Sequence, residues 1–411
     1  MIKKFPKGFL WGAATSAHQV EGGCLNNWTE WEKKNALRLA KEAEEKWQKW
    51  QKEKFSEMFN PANYISGRAC DHYHRFAEDF DLAKTGGHNA HRFSIEWSRI
   101  EPEEGKFNEK EVEHYRQVVL ALRQRKIEPF VTLWHWTHPI WLEKIGGIKN
   151  QKFIFYFSRY TRFLVERLGA KINFWITLNE PNVVAAQSFL RGVWPPQKKN
   201  LRDYFLAINH LLTAHQKTFL IIKNLFPRAQ VGIAKHQISF QVLQSTMINK
   251  LAKKLGDYFW NKRFLKKINY QQDFIGLNHY RRRIVEKGLY RKTEERLTDL
   301  GWEFYPESLF QALVELKAYE KPIYVTENGL ADADDFQRKE FLFRALSALY
   351  SAKKIGVDVR GYFHWSLLDN FEWDKGFWPR FGLIKVDFKT LKRTPRSSFY
   401  FYRDIIKRNA L

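Results

Sequence analysis

Short apolar runs recur along the chain at intervals that suit a strand followed by a helix. Each run is long enough for a buried strand and is bounded by polar or turn-forming residues. After the first interval, the spacing leaves room for one helix and its loops each time. We predict eight strands, at Phe9–Thr15, Ala90–Ile95, Pro129–Trp134, Phe174–Leu178, Gln230–Ala234, Asp273–Leu277, Pro322–Thr326 and Val359–Trp365.

Helical patterns lie between these strands. Apolar positions recur with the period of an α-helix in Glu109–Arg125, Phe153–Leu168 and Tyr204–Phe226, and a further helix at Phe336–Ile355 ends at Gly356. Alternating strands and helices imply a parallel sheet, so we expect the α/β class and a closed (β/α)8 TIM barrel, formed by residues 1–411 as a single domain. An open doubly wound sheet is disfavoured because no glycine-rich phosphate loop follows the first strand.

The interval between the first two strands is much longer than the others. Within it, Glu32–Phe59 is dense in Lys, Glu and Trp, including Trp47 and Trp50. We interpret this segment as a charged helical insertion on the top or side of the barrel. It either shields the barrel, which we slightly favour, or shapes the mouth of a site or an oligomer contact.

Composition bears on the partners. Aromatic residues make up 16% of the chain, which suits sugar binding, although most Trp rings are expected in the core. The net charge of +24 would attract polyanions. However, Lys and Arg are spread along the chain and mixed with Glu, so we expect a solvated surface and no specific nucleic-acid partner.

Several features bear on location. Cys24 and Cys70, the only cysteines, are too few for a disulfide framework, so we expect reduced thiols, although a pair flanking one insertion could bond. The apolar stretch Phe9–Ala14 is too short for a secretory signal, and no run approaches the length of a membrane span. We therefore expect a cytoplasmic protein whose oligomeric state the sequence leaves open.

Polar and aromatic residues follow the predicted strands at the end where barrel enzymes hold their reactive groups. Two of them, Glu180 and Glu327, follow strongly apolar runs, where a carboxylate is costly unless its charge has a use. Two carboxylates that face each other are the minimal equipment for cutting a glycosidic bond. The other residues at strand ends are Gln19, Glu21, Arg92, His135, Trp136, Asn179, Asn278, Tyr280, Trp365, Glu372 and Trp373.

These segments resemble glycoside hydrolase family 1, the family of β-glucosidases and β-galactosidases. The resemblance follows the family's order through nearly the whole chain. The matching segments are Phe9–Gly22, Arg92–Ile95, Trp97–Ile100, Thr132–Trp136, Thr177–Pro181, Gly276–Tyr280, Thr326–Gly329, His364–Trp373 and Arg380–Leu383.

The resemblance implies a retaining mechanism without a cofactor. Glu327 matches the nucleophile, and Glu180 matches the group that acts first as general acid and then as base. Arg92, Tyr280 and Asn278 are the candidates that support a charged nucleophile. Burial and the Glu327 charge should raise the pKa of Glu180. Retention would place the two carboxyl groups about 5 Å apart.

The resemblance also implies a sugar-binding set. Members that act on phosphorylated sugars replace the Glu372 position with a small hydroxyl residue, so we expect unphosphorylated β-glucosides, galactosides or fucosides as substrates. Trp365 matches the aromatic floor beneath the terminal sugar. The residues that match hydrogen-bonding partners of its hydroxyls are Gln19, His135, Asn179, Glu372 and Trp373.

Some positions depart from the family pattern. Thr137, His138 and His279 stand where other residues are usual, and the segment between strands five and six looks trimmed. These changes leave the aglycone preference open. A shallower mouth would accept longer β-linked oligosaccharides or aryl glucosides.

Other interpretations compete with this one. The pairs His72–His74 and His135–His138 suggest a metal, but no third ligand is nearby in sequence, so no metal is expected. A sugar-binding relative without catalysis would usually lack one of the two glutamates. An enzyme that mainly transfers sugars to other acceptors would keep both.

Overall fold

The computed structural model describes residues 2–291 and 295–411. Eight parallel strands close into a barrel, in the order β5–β4–β3–β2–β1–β9–β8–β6, and β6 pairs with β5 to complete the circle. The strands are β1 (Leu10–Ala14), β2 (Ala90–Ser94), β3 (Glu128–Trp134), β4 (Phe174–Asn179), β5 (Gln230–Val242), β6 (Phe274–Glu286), β7 (Leu289–Arg291), β8 (Ile323–Asn328), β9 (Val359–Trp365), β10 (Ile384–Val386) and β11 (Arg393–Pro395).

Helices surround this barrel, and the four predicted ones are present with their ends shifted by no more than a turn. Among the described residues, no helix is both long and apolar enough to span a bilayer. The helices are α1 (Ala17–Val20), α2 (Asn27–Lys46), α3 (Lys49–Lys54), α4 (His72–Thr85), α5 (Trp97–Ile100), α6 (Glu109–Gln124), α7 (Ile140–Lys144), α8 (Lys152–Leu168), α9 (Pro181–Ala185), α10 (Leu201–Leu225), α11 (Met247–Asp257), α12 (Arg263–Ile268), α13 (Ser308–Leu316), α14 (Arg338–Lys354) and α15 (Ser397–Arg408).

All eight predicted strands are present, but β5 and β6 extend far beyond their predicted ends. The apolar pattern breaks at Lys235 and Asn278, whereas the backbone continues to pair as far as Val242 and Val285. Backbone hydrogen bonds between the two strands, rather than an apolar run, therefore define the extension. β7 lengthens this ribbon by pairing antiparallel with β6.

A β-bulge interrupts the extended pair. Gln237 pairs with His279 and Ser239 pairs with Arg282, so two residues of β6, Tyr280 and Arg281, lie opposite one residue of β5. A bulge bends its strand and changes the direction of the side chains. Tyr280 and Arg281 both line the central cavity as a result.

The barrel interior is packed below the site by aromatic rings. Phe130 stacks on Phe174 with centroids 4.2 Å apart, and Tyr324 lies 5.2 Å from Phe130. Ala14, Ala90 and Ala234 are also buried in this cluster, where small side chains leave room for large rings. The packed floor gives the strand ends above it a rigid base.

The predicted insertion is helical and packs onto the rim of the barrel. α2 begins at the cap residue Asn26, whose side chain accepts hydrogen bonds from the backbone N–H groups of Trp28 and Thr29. Trp28 is buried, with its ring 4.7 Å from that of Trp373. The helical insertion thus begins with α2, a few residues before its predicted start at Glu32, and the Trp28 contact favours the role ranked second above, in which the insertion shapes the site.

Candidate active site

A cavity of about 540 Å³ opens at the carboxyl ends of the barrel strands. Most residues predicted from the sequence line it, whereas Arg92, Asn179 and Asn278 lie just behind the lining and contact those that do. Glu21 lies outside the lining, where it accepts hydrogen bonds from Arg99 and Tyr115. The predicted residues in the lining are Gln19, His135, Trp136, Glu180, Tyr280, Glu327, Trp365, Glu372 and Trp373.

Glu327 ends β8 as a buried carboxylate held by two donors. Arg92 Nη1 donates to its Oε1 at 2.5 Å, and the Tyr280 hydroxyl donates to its Oε2 at 2.7 Å. Burial and the nearby carboxylates raise the pKa of Tyr280, which keeps the phenol a proton donor. A guanidinium and a phenol together stabilise negative charge on Glu327.

Glu180 lies in a different environment. Its carboxyl group is buried, and Asn278 Nδ2 donates to Oε1 at 2.8 Å. Burial raises the pKa of Glu180, and the charge of Glu327 raises it further. The hydrogen bond from Asn278 and the cations of Arg92 and Lys235 oppose this shift but do not cancel it. A carboxyl group that stays protonated near neutral pH can donate a proton.

The side chain of Asn278 contacts Glu180, although it was expected to support Glu327. Asn278 was a candidate to support Glu327, and its backbone pairs with Glu327 in the sheet. Its amide group donates instead to Glu180 and to Asn179 Oδ1, while its Oδ1 accepts from the Thr326 hydroxyl. The side chain of Asn278 therefore bonds to the Glu327 strand at Thr326, and its connection to the Glu327 carboxylate is indirect.

Asn179 connects the two glutamates to the sugar-binding candidates. Its Oδ1 accepts a hydrogen bond from Arg92 Nη2 at 2.7 Å, and its Nδ2 donates to His135 Nε2 at 3.0 Å. Burial holds the pKa of His135 well below its usual value, so its neutral ring can accept that bond. The ring lies 6.0 Å from Trp365 in a nearly parallel orientation.

Gln19 and Glu372 form another part of the cavity wall. Gln19 Nε2 donates to Glu372 Oε2 at 3.3 Å and to the Phe371 carbonyl at 2.9 Å. Burial, aided by the Glu327 charge, raises the pKa of Glu372 to about 8. A neutral carboxyl group there offers both a donor and an acceptor, which suits a sugar hydroxyl.

Several residues around this site have strained backbone conformations. Trp136, Glu180 and Trp373 adopt positive φ angles of 76°, 43° and 53°, which residues with a side chain rarely do. Such strain persists where the surrounding structure holds a side chain in a required direction. At Gly329, a Cβ atom would lie 2.0 Å from the Trp365 carbonyl oxygen, so only glycine fits after the Glu327 turn.

Several residues in and around the site were not predicted from the sequence. Lys235 directly follows an apolar run and is fully buried, and its Nζ donates to the carbonyl oxygens of His236 and Trp260. Burial lowers its pKa to about 7. The strand-end rule that found Glu180 would also have found Lys235. Trp194 and Trp302 lie in loops, where no periodic pattern marks them.

The histidine pairs considered as metal ligands are engaged otherwise. His72 Nδ1 lies 2.7 Å from Asp79 Oδ2, and His138 Nε2 lies 2.7 Å from Glu143 Oε2. In the described ranges, another buried group, His18, Cys24 and Glu96, brings its ligand-type atoms within 4.8 Å of one another. It lies outside the cavity lining, and Glu96 already accepts bonds from Ser98 and Thr137.

The departures from the family pattern also lie behind the cavity. Thr137 donates to Glu96 Oε2 at 2.7 Å, and the backbone of His138 exchanges hydrogen bonds with Asn27 of the insertion. His279 Nε2 lies 2.7 Å from the Ser308 hydroxyl. These residues support the elements around the cavity without lining it.

A TIM barrel with two buried glutamates at its carboxyl end, one stabilised as an anion and the other as an acid, defines a glycoside hydrolase. Comparison with known proteins agrees. The model of "Glycosyl hydrolase family 1" matches residues 1–269 and 244–411. The chain belongs to this family.

Similar proteins match over the full length. The "Beta-glucosidase A" of Thermotoga maritima is 32% identical over 100% of this chain and 99% of the relative. The "1,4-beta-D-glucan glucohydrolase" of Thermotoga neapolitana is 33% identical over 100% of both. Among solved structures, a β-glycosidase from Pyrococcus horikoshii has a TM-score of 0.88 at 34% identity, covering 100% of this chain and 96% of that one. A T. maritima β-glucosidase in complex with glucoimidazole has a TM-score of 0.90 at 31% identity, with full coverage of both chains.

Proposed function

We propose that this chain is a retaining β-glycosidase that removes terminal non-reducing β-D-glucosyl residues, and also galactosyl and fucosyl residues, from unphosphorylated β-glycosides. The observation that carries the proposal is the contrast between the two glutamates. Arg92 and Tyr280 donate to Glu327, whereas burial and the Glu327 charge raise the pKa of Glu180. A double displacement needs this division between an ionised nucleophile and a protonated acid.

In the first step, a Glu327 carboxylate oxygen attacks the anomeric carbon, and the bond from that carbon to the aglycone oxygen breaks. Glu180 gives its proton to the departing oxygen, so the aglycone leaves as a neutral alcohol. The product is a glycosyl ester of Glu327. A separation of about 5 Å between the two carboxyl groups would suit this step.

In the second step, water attacks the anomeric carbon while Glu180 takes one of its protons. The ester bond breaks, and Glu327 leaves as a carboxylate. Esterification removes the Glu327 charge, which is one of the two factors that raise the pKa of Glu180. The pKa of Glu180 should therefore fall in the intermediate, when the residue must act as a base.

The sugar specificity follows from the wall formed by Gln19, Glu372 and Trp373. An uncharged hydroxyl suits this wall better than a phosphate, which would face the carboxyl group of Glu372; the neighbouring Asp374 is already paired with Lys375 and Lys46. Burial raises the pKa of Glu372 to about 8 and so weakens the repulsion without removing it. The relatives named β-glucosidase support glucosides as the main substrates.

A transglycosylase is the second candidate. Aromatic residues such as Trp260 and Trp302 line the outer part of the cavity, and they would hold an alcohol or sugar acceptor as well as a leaving aglycone. A sugar-binding protein without catalysis is disfavoured because both glutamates are present and hydrogen-bonded.

We also propose a cytoplasmic location. The free thiols of Cys24 and Cys70 support it, because disulfides are rare in that compartment.

The test is hydrolysis of a panel of 4-nitrophenyl β-glycosides, followed by NMR of the first sugar released. We expect activity on the glucoside and initial release of the β-anomer. Glu327→Ala should reduce the rate at least roughly 10³-fold, or about 4 kcal/mol of barrier. Initial release of the α-anomer, or near-native turnover by Glu327→Ala, would falsify the mechanism. The ratio of transfer product to free glucose in added alcohol separates hydrolase from transglycosylase.

A further inference from the structure

Three arginines line the cavity, on segments other than those that carry the sugar-binding wall. Arg281 and Arg283 come from the extended part of β6, and Arg191 follows the π-helical turn Ala186–Leu190. Gln19, Glu372 and Trp373 come from the segments after β1 and β9. Since the latter set is assigned to the terminal sugar, the arginines belong to the region that receives the leaving group.

The bulge in β6 explains why two of these arginines share one face. It turns Tyr280 and Arg281 toward the cavity, and strand alternation then places Arg283 on the same side. Arg282, between them, lies on the opposite face and donates to both carboxylate oxygens of Glu303. One segment therefore holds two cavity arginines and one arginine in an ordinary ion pair.

In the part of the chain that the structure describes, Arg281 and Arg283 form no ion pair with an acidic side chain. Among the described residues, neither Arg281 nor Arg283 donates a side-chain hydrogen bond, and no carboxylate is close enough to affect the pKa of either one. Burial lowers the pKa of Arg281 to about 10, and repulsion from Arg283 and Arg191 contributes. Partly buried, unpaired cations are costly unless a ligand neutralises them.

Aromatic rings hold these guanidinium groups in place. Arg281 Cζ lies 5.2 Å from the centroid of the Trp302 ring, and Arg283 Cζ lies 4.8 Å from that of Tyr290. Stacking on a ring stabilises a cation without using its N–H donors. The donors stay available to a ligand that enters the cavity.

We propose that this subsite binds an anionic group, a carboxylate or a phosphate, on the aglycone of the substrate. The geometry suits a planar anion because an arginine can hold such a group through two parallel hydrogen bonds. The leaving group would then be an acidic sugar or a carboxylated phenol, while the terminal sugar stays neutral. This inference rests on the proposed glycosidase function and adds the chemical class of the aglycone.

The test compares substrates that differ in one group. Cellobiose, glucosyl-β-1,4-glucuronate and cellobiose phosphorylated on C6 of its reducing unit share one glucosyl group and one linkage. We expect kcat/KM for at least one of the anionic disaccharides to exceed that for cellobiose roughly tenfold at low salt. The two anionic arms show whether carboxylate or phosphate is preferred. The preference should shrink in about 0.5 M NaCl, since salt screens exposed charge.

Variants connect this preference to the arginines. The double change Arg281→Gln and Arg283→Gln should bring the ratio of the kcat/KM values close to one, and the corresponding double change to Lys should keep part of it. Arg282→Gln is the matched control, because it removes one positive charge from the same segment but on the other face. It should keep the native ratio.

The outcomes separate this inference from the proposed function. Turnover of cellobiose without preference for either anionic disaccharide overturns the inference and leaves the glycosidase intact. Failure on all three disaccharides and on 4-nitrophenyl β-glucoside counts against the glycosidase itself. A preference that survives in the Gln double variant also overturns the inference. If that variant does not fold, the test rests on the native chain: a kcat/KM ratio near one, or a ratio that salt does not reduce, overturns the inference.

Discussion

Among the residues that the structure describes, Glu180 accepts a side-chain hydrogen bond from the Asn278 amide and none from a cation, whereas Glu327 accepts hydrogen bonds from Arg92 and Tyr280. The two side chains are chemically identical, so their proposed roles come from these neighbours. Local electrostatics thus assigns acid and nucleophile without reference to sequence position. Replacing each group should therefore produce a different kinetic defect.

Glu180→Ala should reduce the rate more for poor leaving groups than for activated ones, because protonation matters most when the departing oxygen is basic. We expect a loss of roughly 10²–10⁴-fold on cellobiose and a much smaller loss on 2,4-dinitrophenyl β-glucoside. Steady-state kinetics on both substrates checks this. Equal losses on the two would contradict the acid role.

Tyr280→Phe should slow turnover by roughly 10–100-fold, since a hydrogen bond to a charged group contributes about 1.5–3 kcal/mol. The lost bond is the 2.7 Å contact to Glu327. Measured kcat values for 4-nitrophenyl β-glucoside give the effect. Tyr204→Phe is the control, because Tyr204 lines the same cavity and is not among the described hydrogen-bond donors to either glutamate. A similar loss there would mean that the Glu327 bond is not the cause.

Single residues of the site were predictable where a polar group follows a buried strand. Glu180, Glu327 and His135 obey this rule. Asn278 shows its limit, because the rule gives the strand end but not which neighbour a side chain will reach. Its amide turns to Glu180 although its backbone pairs with Glu327. Which glutamate the Asn278 amide reaches depends on the directions of the side chains, and the periodicity of a sequence does not reveal those directions.

At the scale of elements, the β5–β6 ribbon was the least predictable part. Its outer half mixes Arg282, Arg283 and other polar residues, so the apolar pattern ends early. The bulge at Tyr280 and Arg281 depends on how β5 and β6 align with each other, and the sequence of either strand alone does not give that register. Barrel strands and outer helices were predictable because one face of each is buried and keeps a regular period.

The insertion leads to a prediction at this scale. Trp28→Ala should raise KM for 4-nitrophenyl β-glucoside roughly tenfold, or about 1.4 kcal/mol, with a smaller change in kcat. The reason is that Trp28 packs against Trp373 with ring centroids 4.7 Å apart, and Trp373 belongs to the sugar-binding wall.

Kinetics of three variants would check this role. Trp28→Phe should behave nearly as the native chain, because a smaller ring still supports Trp373. Trp50→Ala, on the exposed side of the same insertion, should leave KM unchanged. An unchanged KM in a folded Trp28→Ala variant would mean that the insertion only shields the barrel.

At the scale of the whole molecule, a buried ion pair joins distant parts of the chain. Asp79 of α4 accepts hydrogen bonds from Arg393 at 2.9 and 3.1 Å, and His72 Nδ1 lies 2.7 Å from the same carboxylate. Burial alone would raise the pKa of Asp79, but the bonds from His72 and Arg393 lower it overall. The pair fastens the C-terminal segment to the first half of the barrel.

Asp79→Asn should therefore lower the free energy of unfolding by about 3–5 kcal/mol at pH 7, because it leaves a buried guanidinium unpaired. The folded-state pKa of Asp79 lies below its usual value of about 4, so its contribution is fully present above that value and is lost as the pH falls further, through the lowered folded-state pKa. The difference in the free energy of unfolding between Asp79→Asn and the native chain should therefore narrow below about pH 4.

Urea unfolding at several pH values measures this effect. Asp81→Asn provides the control on the same helix, since its bond to Arg125 is exposed and contributes at most about 1 kcal/mol. Equal effects of the two substitutions would mean that burial of the Asp79 pair does not matter for stability.

The most direct test of the central claim uses 2,4-dinitrophenyl 2-deoxy-2-fluoro-β-D-glucoside, whose fluorine slows the second step more than the first. We predict that the protein releases one equivalent of dinitrophenol, loses activity and gains the mass of one fluoroglucosyl group. Peptide mass spectrometry should place that group on Glu327. A label on another residue, or continued activity without any label, would contradict the account.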